Sequence, residues 1–303
     1  MGLTLDNLLT EARNPETMEL DSMTPLEIVT AMNREDAKVP ESIRPELPKI
    51  ARCVTWATEA IRAGGRLIYM GAGTSGRLGV LDAVECPPTF GVSPEVVIGL
   101  IAGGASAFVK AVEGAEDSRE LGKADLEAIG LTEKDVVVGI AASGRTPYVL
   151  GGLEYADEVG CKTVAISCNP GSAVGKAAKL AIEVAPGPEC LTGSTRLKAG
   201  TAQKLILNMI STATMVGCGK AYGNLMVDVM QTNEKLVVRA QNIVMAATGV
   251  SRQEAKEAIA QADGSCKLAI TMLLAGCSVE QARQRLESCG GSVRQAVAAP
   301  EEP

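Results

Sequence analysis

The sequence of 303 residues contains no histidine. This absence excludes Ser-His-Asp hydrolysis, histidine general bases and metals bound through imidazole. Acid–base chemistry would therefore depend on Glu, Asp, Lys, Tyr or Cys side chains. Aromatic residues are also scarce, at 2% of the chain, and Trp56 is the sole tryptophan. Recognition of a sugar by stacking on aromatic rings is thus disfavoured, and polar contacts would have to replace it.

The sequence also lacks an excess of positive charge. The formal net charge is -7 and the sequence pI is about 5.0. No basic face is expected that could neutralise many phosphates, which disfavours a nucleic-acid partner. A few backbone N–H groups could still bind a small anion. We expect no membrane-spanning segment, because no apolar run reaches about 18 residues, and we expect no signal peptide.

The nine cysteines are scattered, and their number is odd. Reduced thiols in the cytoplasm are the simplest interpretation, because nothing in the sequence indicates export to an oxidising compartment. Cys161 and Cys168 do not form a zinc-binding pattern. We therefore expect a cytoplasmic protein without a bound metal.

Five short apolar runs alternate with segments long enough to form helices. Near-continuous apolar strands that alternate with helices predict an α/β fold, in which helices cover both faces of a parallel sheet. In such sheets the functional loops lie at the carboxyl ends of the strands. Glycine, serine and threonine clusters follow several of these runs. The predicted strands are residues 66–70, 96–101, 135–140, 163–167 and 180–184.

Helices are predicted on both sides of the α/β segment. Thr24-Pro25-Leu26-Glu27 has the pattern of a helix start, and this helix should run to about Asn33. Further helices are predicted over Pro48–Arg62 and Thr201–Gly219. After about Val229 the strand pattern stops, and capping-box patterns begin at Ser251 and Ser278. The predicted domains are a helical segment (1–50), an α/β domain (51–228) and a small all-helical domain (229–303).

The first candidate binding motif is Gly71–Arg77, directly after a predicted strand. Its glycines would let backbone N–H groups approach an anion, and the next helix would add a favourable dipole. Gly73, Thr74 and Ser75 are the candidate ligands. The motif matches G-x-G-x-x-G literally, but no acidic residue about 20 positions on could hold a ribose. The alternative is a tight turn without a ligand.

The second motif, Ser143–Pro147, has the same composition and follows another predicted strand. Ser143, Arg145 and Thr146 are its candidate ligands. Two glycine turns with hydroxyl groups at neighbouring strand ends would form a cup for a phosphate group. Together they are a stronger signal than either turn alone.

Glu85 precedes Cys86-Pro87-Pro88, and the helix that starts after the first glycine motif is expected to end here. A carboxylate at a helix C-terminus lies at the negative end of the dipole, which favours its protonated form. A general acid requires that form. The alternative is an exposed glutamate before a turn.

Two more polar segments could contribute to a site. Glu113–Asp117 contains three carboxylates, including Glu116, and is otherwise typical of a solvated face. Thr192–Thr201 follows Glu189 and contains Ser194 and Lys198. These side chains could bind sugar hydroxyls, an N-acetyl group or a carboxylate. The alternative for this second segment is a helix N-cap with surface charge.

The sequence resembles the sugar isomerase (SIS) domain over its first glycine motif and, more narrowly, the N-acetylmuramic acid 6-phosphate etherase family. The resemblance extends over nearly the whole chain. A close relative of that family, the glucokinase regulatory protein, binds sugar phosphates but does not cleave an ether bond. The matching segments are residues 65–77, 81–91, 111–117, 141–148 and 192–204.

The resemblance implies cleavage of the D-lactyl ether at C3 of the sugar, in cell-wall sugar recycling. The products would be N-acetylglucosamine 6-phosphate and D-lactate. The catalytic glutamates of the family fall on Glu85, the expected proton donor to the leaving group, and Glu116, the expected base. The family also implies no metal, no cofactor and a homodimer with active sites near the subunit interface. A sugar-phosphate sensor and an aldose–ketose isomerase are the alternatives.

Overall fold

The computed structural model describes residues 8–110, 112–231 and 233–299. Its N-terminal segment is helical, as the sequence predicts. In the capping box at the first helix, the Thr24 hydroxyl accepts a hydrogen bond from the Glu27 N–H, and the Glu27 carboxylate accepts from the Thr24 N–H at 2.7 Å. The helices here are α1 (Pro25–Asp36), α2 (Val39–Ile43) and α3 (Leu47–Arg62).

A five-stranded parallel sheet follows, and all five predicted strands are confirmed. The spatial order is β2-β1-β3-β4-β5, so β1 lies between β2 and β3. Gly71, the last residue of β1, pairs with Ile101 of β2 and with Ile140 of β3. The strands are β1 (Leu67–Gly71), β2 (Val97–Ile101), β3 (Val136–Ala141), β4 (Lys162–Ser167) and β5 (Leu180–Glu183).

Helices cover both faces of this sheet. Successive side chains of a strand point to opposite faces. A Cβ built on Gly79 would lie 3.0 Å from the Cβ of Tyr69, whereas a Cβ on Gly152 would overlap the side chain of Met70. Because Tyr69 and Met70 are adjacent in β1, the two glycine-bearing helices lie on opposite faces. The helices of this part are α4 (Gly73–Phe90), α5 (Arg119–Ala128), α6 (Pro147–Val159), α7 (Ala173–Ala177) and α8 (Lys198–Gly217).

The predicted end of α4 at Glu85 is wrong, because the helix continues to Phe90. Pro87 and Pro88 lack the N–H groups that would bond to the carbonyls four residues earlier, which costs two hydrogen bonds. The extra turn is nevertheless stabilised by the buried Phe90 ring and by a hydrogen bond of 2.9 Å from the Gly91 N–H to the Pro87 carbonyl. Glu85 therefore lies inside the helix, and the helix-dipole argument does not apply to it.

The C-terminal part is helical apart from a short hairpin. The capping boxes predicted at Ser251 and Ser278 are both confirmed. Buried aliphatic side chains, including Ile243, Ile259 and Ile270, form its hydrophobic core. Its elements are β6 (Ala221–Tyr222), β7 (Leu225–Met226), α9 (Glu234–Thr248), α10 (Arg252–Gln261), α11 (Cys266–Ala275), α12 (Val279–Ser288) and α13 (Val293–Ala298).

The chain divides into two compact units. The first comprises Met1–Val84 and Glu95–Ser211, and the second comprises Glu85–Pro94 and Thr212–Pro303. This division differs from the three segments expected from the sequence, because the N-terminal helices belong to the same unit as the sheet. Within the described residues, no helix is long and apolar enough to cross a membrane.

Candidate functional site

Three sequence motifs follow three neighbouring strands of the sheet. Gly71–Arg77 follows β1, Ser143–Pro147 follows β3, and the segment with Glu116 follows β2. Since β1 lies between β2 and β3 and all three are parallel, these segments leave the same edge of the sheet side by side. The chain also reverses its strand order between β1 and β3, and ligands of open α/β sheets bind at this kind of position. The prediction that the two glycine loops lie at neighbouring strand ends is confirmed.

A cavity of about 290 Å³ lies at this edge and joins the first glycine loop to the Glu116 segment. Glu116 is exposed to it, whereas the adjacent Ala115 is buried and anchors the turn. Residues of the first glycine loop and the acidic residues Glu113 and Glu116 thus line one space. The cavity is lined by Ala72, Gly73, Arg77, Ala102, Ala107, Val112, Glu113, Gly114 and Glu116.

Arg77 fixes one wall of this cavity. Its Nε donates to the carbonyl of Phe108 at 2.8 Å, and its Nη2 donates to the carbonyl of Ala107 at 2.9 Å. Both carbonyls belong to a 3₁₀ turn that precedes the Glu116 segment in the chain. The guanidinium, with its donors in a fixed plane, holds this turn against the first turn of α4.

Ser75, in the first turn of α4, is almost fully buried. Its hydroxyl donates to Oε1 of Gln203 on α8 at 2.9 Å. The neighbouring Thr74 also lies beside α8, because a Cβ built on Gly200 would be 3.6 Å from the Thr74 Cγ2. The structure therefore places the first glycine loop against the start of α8. Sequence reasoning missed Gln203, since nothing in its local sequence distinguishes it.

The second glycine loop is held by the segment that follows β4. Gly144 has a φ of 74°, and a Cβ there would overlap the side chain of Ser172. The Gly144 carbonyl accepts a hydrogen bond from the Val174 N–H at 3.0 Å. Only glycine fits this position. The candidate ligands Ser143 and Thr146, on either side of Gly144, are half-buried.

The structure places Glu189 and Lys198, two further predicted ligands, in contacts within the protein. The Glu189 carboxylate accepts from the N–H groups of Lys198 and Ala199, at 2.8 and 2.9 Å, and so caps α8. Burial raises the pKa of Glu189, and these two hydrogen bonds offset part of that effect. The Lys198 ammonium binds Glu35 of α1 at 2.7 Å. Sequence reasoning missed Glu35, which lies in a helix whose sequence looks solvent-exposed.

The remaining predicted residues are distributed over both units. Ser194 and Arg145 are half-buried. Glu85 is exposed on α4 and belongs to the second unit, whereas Glu116 belongs to the first. In the part of the chain that the structure describes, no group of three or more His, Cys, Asp or Glu residues could hold a metal ion. All nine cysteines lie among the described residues, and none of them forms a disulfide.

The fold and these loops define a SIS-type α/β protein. Residues 49–157 match the model of the glucokinase regulatory protein N-terminal SIS domain, and residues 123–213 match the SIS domain model. The phosphoheptose isomerase of Neisseria gonorrhoeae superposes with a TM-score of 0.50 at 17% identity, covering 63% of this chain and 98% of its own. The phosphoheptose isomerase of Francisella tularensis gives the same TM-score and identity, covering 64% and 100%. These two likenesses concern the fold alone.

Sequence relatives define the family more narrowly. An N-acetylmuramic acid 6-phosphate etherase of Halalkalibacterium halodurans is 60% identical over 293 residues, which cover 97% of this chain and 98% of the relative. The etherase of Pectobacterium atrosepticum is 60% identical over 296 residues, covering 98% of each chain. The chain belongs to the N-acetylmuramic acid 6-phosphate etherase family.

Proposed function

We propose that this protein is a lyase that cleaves the D-lactyl ether of N-acetylmuramic acid 6-phosphate. The products are N-acetylglucosamine 6-phosphate and D-lactate, and the reaction belongs to the recycling of cell-wall sugars. The observation on which this proposal depends is the 60% identity to etherases over 97% of the chain. The cavity that brings Glu116 and the first glycine loop together supports it.

The two glycine loops anchor the phosphate in this proposal. Gly73, Thr74 and Ser75 belong to the first turn of α4, an 18-residue helix whose N-terminal dipole favours an anion. In the loop that follows the neighbouring strand β3, Ser143, Arg145 and Thr146 precede α6 and supply further donors. Anchoring the phosphate fixes the sugar relative to the carboxylates, and this positioning contributes to the rate. The sugar contacts predicted for Glu189, Ser194 and Lys198 stay predictions.

The reaction proceeds by elimination and then addition. When the sugar ring opens, C1 becomes an aldehyde and the proton on C2 becomes acidic. Glu116 removes this C2 proton, a double bond forms between C2 and C3, and the C3–oxygen bond breaks while Glu85 protonates the departing lactate oxygen. Water then adds at C3 and a proton returns to C2, with the two carboxyl groups in reversed roles. Two carboxyl groups in different protonation states are sufficient for both halves.

No oxidation or reduction accompanies this sequence and two carboxyl groups are sufficient for its proton transfers, so the proposal includes neither a cofactor nor a metal. We propose a homodimer in the cytoplasm, acting on a small phosphorylated sugar and on no nucleic acid. The exposed Leu81 and Val84 on α4 support a dimer, because apolar side chains one turn apart are stabilised when a partner covers them.

The deciding experiment is incubation of the purified protein with N-acetylmuramic acid 6-phosphate in ¹⁸O-labelled water. Release of D-lactate, with one ¹⁸O at C3 of the N-acetylglucosamine 6-phosphate, is the expected result. Lactate release with ¹⁸O in lactate instead would mean cleavage on the other side of the ether oxygen. If no lactate appears, the etherase function is rejected. The protein then either binds the sugar phosphate without turnover or isomerises it.

A further inference from the structure

Gln203 is a buried amide without an assigned role, and only one of its two polar atoms is satisfied. Its side chain is 1% exposed. Its Oε1 accepts the hydrogen bond from Ser75, but among the described residues its Nε2 has no hydrogen-bond partner. An unpaired buried donor is unfavourable, because the group has lost its water and gained nothing in return. Such an atom in a native site calls for an explanation.

The direction of the hydrogen bond between Ser75 and Gln203 conflicts with phosphate binding by Ser75. A serine hydroxyl has one proton to donate. In the structure that proton goes to Gln203, so Ser75 has none to offer an anion. A phosphate oxygen is an acceptor and needs a donor. Ser75 can serve the phosphate only when Gln203 stops accepting its proton.

A half-turn of the Gln203 amide removes the conflict. Amide oxygen and nitrogen have nearly the same shape, so the turn exchanges their positions without displacing neighbours. Nε2 then donates to the Ser75 oxygen, and the hydroxyl proton becomes available to the phosphate. The Nε2 donor thereby gains Ser75 as its partner, and Oε1 takes the position that Nε2 had.

We infer that Gln203 is a positioning residue of the anion site, whose side-chain amide reverses its hydrogen bond with Ser75 when a phosphorylated sugar binds. This inference rests on the proposed function in one respect, since it takes Ser75 as a phosphate ligand. Gln203 itself touches no substrate and acts through the Ser75 hydroxyl.

A double-mutant cycle tests the coupling by calorimetric titration. Gln203→Met keeps the length of the side chain and removes both polar atoms. We expect it to weaken N-acetylglucosamine 6-phosphate binding about 5-fold, because the Ser75 oxygen loses the Nε2 donor that turns its proton toward the phosphate, with unchanged affinity for N-acetylglucosamine. In the Ser75→Ala background, Gln203→Met should change affinity less than about 2-fold, because the residue acts only through Ser75.

Asn208→Leu is the matched control. Asn208 is another amide of α8, and its Nδ2 donates to Asp82 at 2.7 Å instead of to the glycine loop. The control should lower thermal stability but leave the affinity ratio for phosphorylated over unphosphorylated sugar unchanged. Equal losses for both sugars in Gln203→Met, or equal losses in both Ser75 backgrounds, would overturn the inference.

A measurement on the wild-type protein keeps the test valid if Gln203→Met does not fold. With ¹⁵N-labelled glutamine, the Gln203 side-chain amide signals should shift on addition of N-acetylglucosamine 6-phosphate and not of N-acetylglucosamine. The Ser75→Ala protein should show no such shift, and unchanged signals in the wild-type protein would refute the reversal. A wild-type protein that binds the phosphorylated sugar but releases no lactate would refute the etherase function and leave this test intact.

Discussion

The Lys198 ammonium and the Glu35 carboxylate form an ion pair at 2.7 Å, and both side chains are almost fully buried. Lys198 is at the start of α8, whereas Glu35 is near the end of α1, 163 residues earlier. Lys38 also binds Glu35. The pair connects the N-terminal helices to the segment beside the first glycine loop.

Replacing Lys198 with Met should strongly destabilise the protein. The change leaves Glu35 buried with Lys38 as its remaining cation, and breaking a buried pair from one side costs about 3 kcal/mol. The midpoint of urea denaturation measures the effect. Lys204→Met, an exposed position of the same helix, should stay within about 0.5 kcal/mol of the wild type. Equal midpoints for the two variants would contradict a stabilising role of the pair.

The contribution of Glu35 should disappear in acid. Burial alone would raise the pKa of Glu35, but hydrogen bonds from Lys198 and Lys38 outweigh it and lower the pKa to about 2 from its usual value of 4.5. Because the pKa of Glu35 is lower in the folded than in the unfolded protein, its ionised carboxylate stabilises the fold fully above pH 4.5. This stabilisation is lost as the pH falls toward 2. The stability difference between the wild type and Glu35→Gln should therefore shrink over that range. A constant difference would contradict the lowered pKa.

Gly76→Ala should distort the first glycine loop. A Cβ at Gly76 would lie 2.5 Å from the Gly71 carbonyl oxygen, a backbone atom that cannot move aside cheaply. We expect a loss of about 1–3 kcal/mol from this overpacking, measured by denaturation. Gly200→Ala is the control, since a Cβ there meets its neighbours at 3.6 Å or more and alanine is the better helix former. The prediction is wrong if both variants are equally stable.

Glu85→Gln and Glu116→Gln should each lower the turnover number about 10²- to 10⁴-fold, the usual effect of removing a general acid or base. Both variants should still bind N-acetylglucosamine 6-phosphate, because neither carboxylate anchors the phosphate in the proposal. Lactate release and calorimetric titration measure the two properties. Asp117→Asn, next to Glu116 and also exposed, should keep near-normal turnover. Full activity in both glutamine variants would refute the proposed roles.

Ser143→Ala should weaken binding of phosphorylated sugar more than that of the unphosphorylated sugar. The serine is half-buried in the loop after β3, and its proposed role is a hydrogen bond to the phosphate. Hydrogen bonds to charged groups contribute about 1.5–3 kcal/mol, which corresponds to about a 10-fold loss or more. Equal losses for N-acetylglucosamine 6-phosphate and N-acetylglucosamine would indicate a structural turn instead.

The sequence by itself determined the elements of this protein and its family. The parallel strands, the glycine turns that follow them and the capping boxes at Thr24, Ser251 and Ser278 depend on residues close together in the chain. The long segments around Glu85 and Glu116 indicated the etherase family. The one local error, the end of α4, arose where burial of Phe90 outweighed the restriction that prolines impose.

Only the tertiary structure decided which of these segments meet. The strand order placed the Glu116 segment and the Ser143 loop on either side of the first glycine loop. Packing also turned Lys198 toward Glu35 and paired Ser75 with Gln203, 128 residues away. A local sequence pattern encodes secondary-structure propensity and solvent exposure. The partner of a buried polar group depends instead on how elements distant in the chain pack together. For that reason the sequence could name candidate polar residues, whereas the fold assigned partners within the protein to Ser75, Glu189 and Lys198.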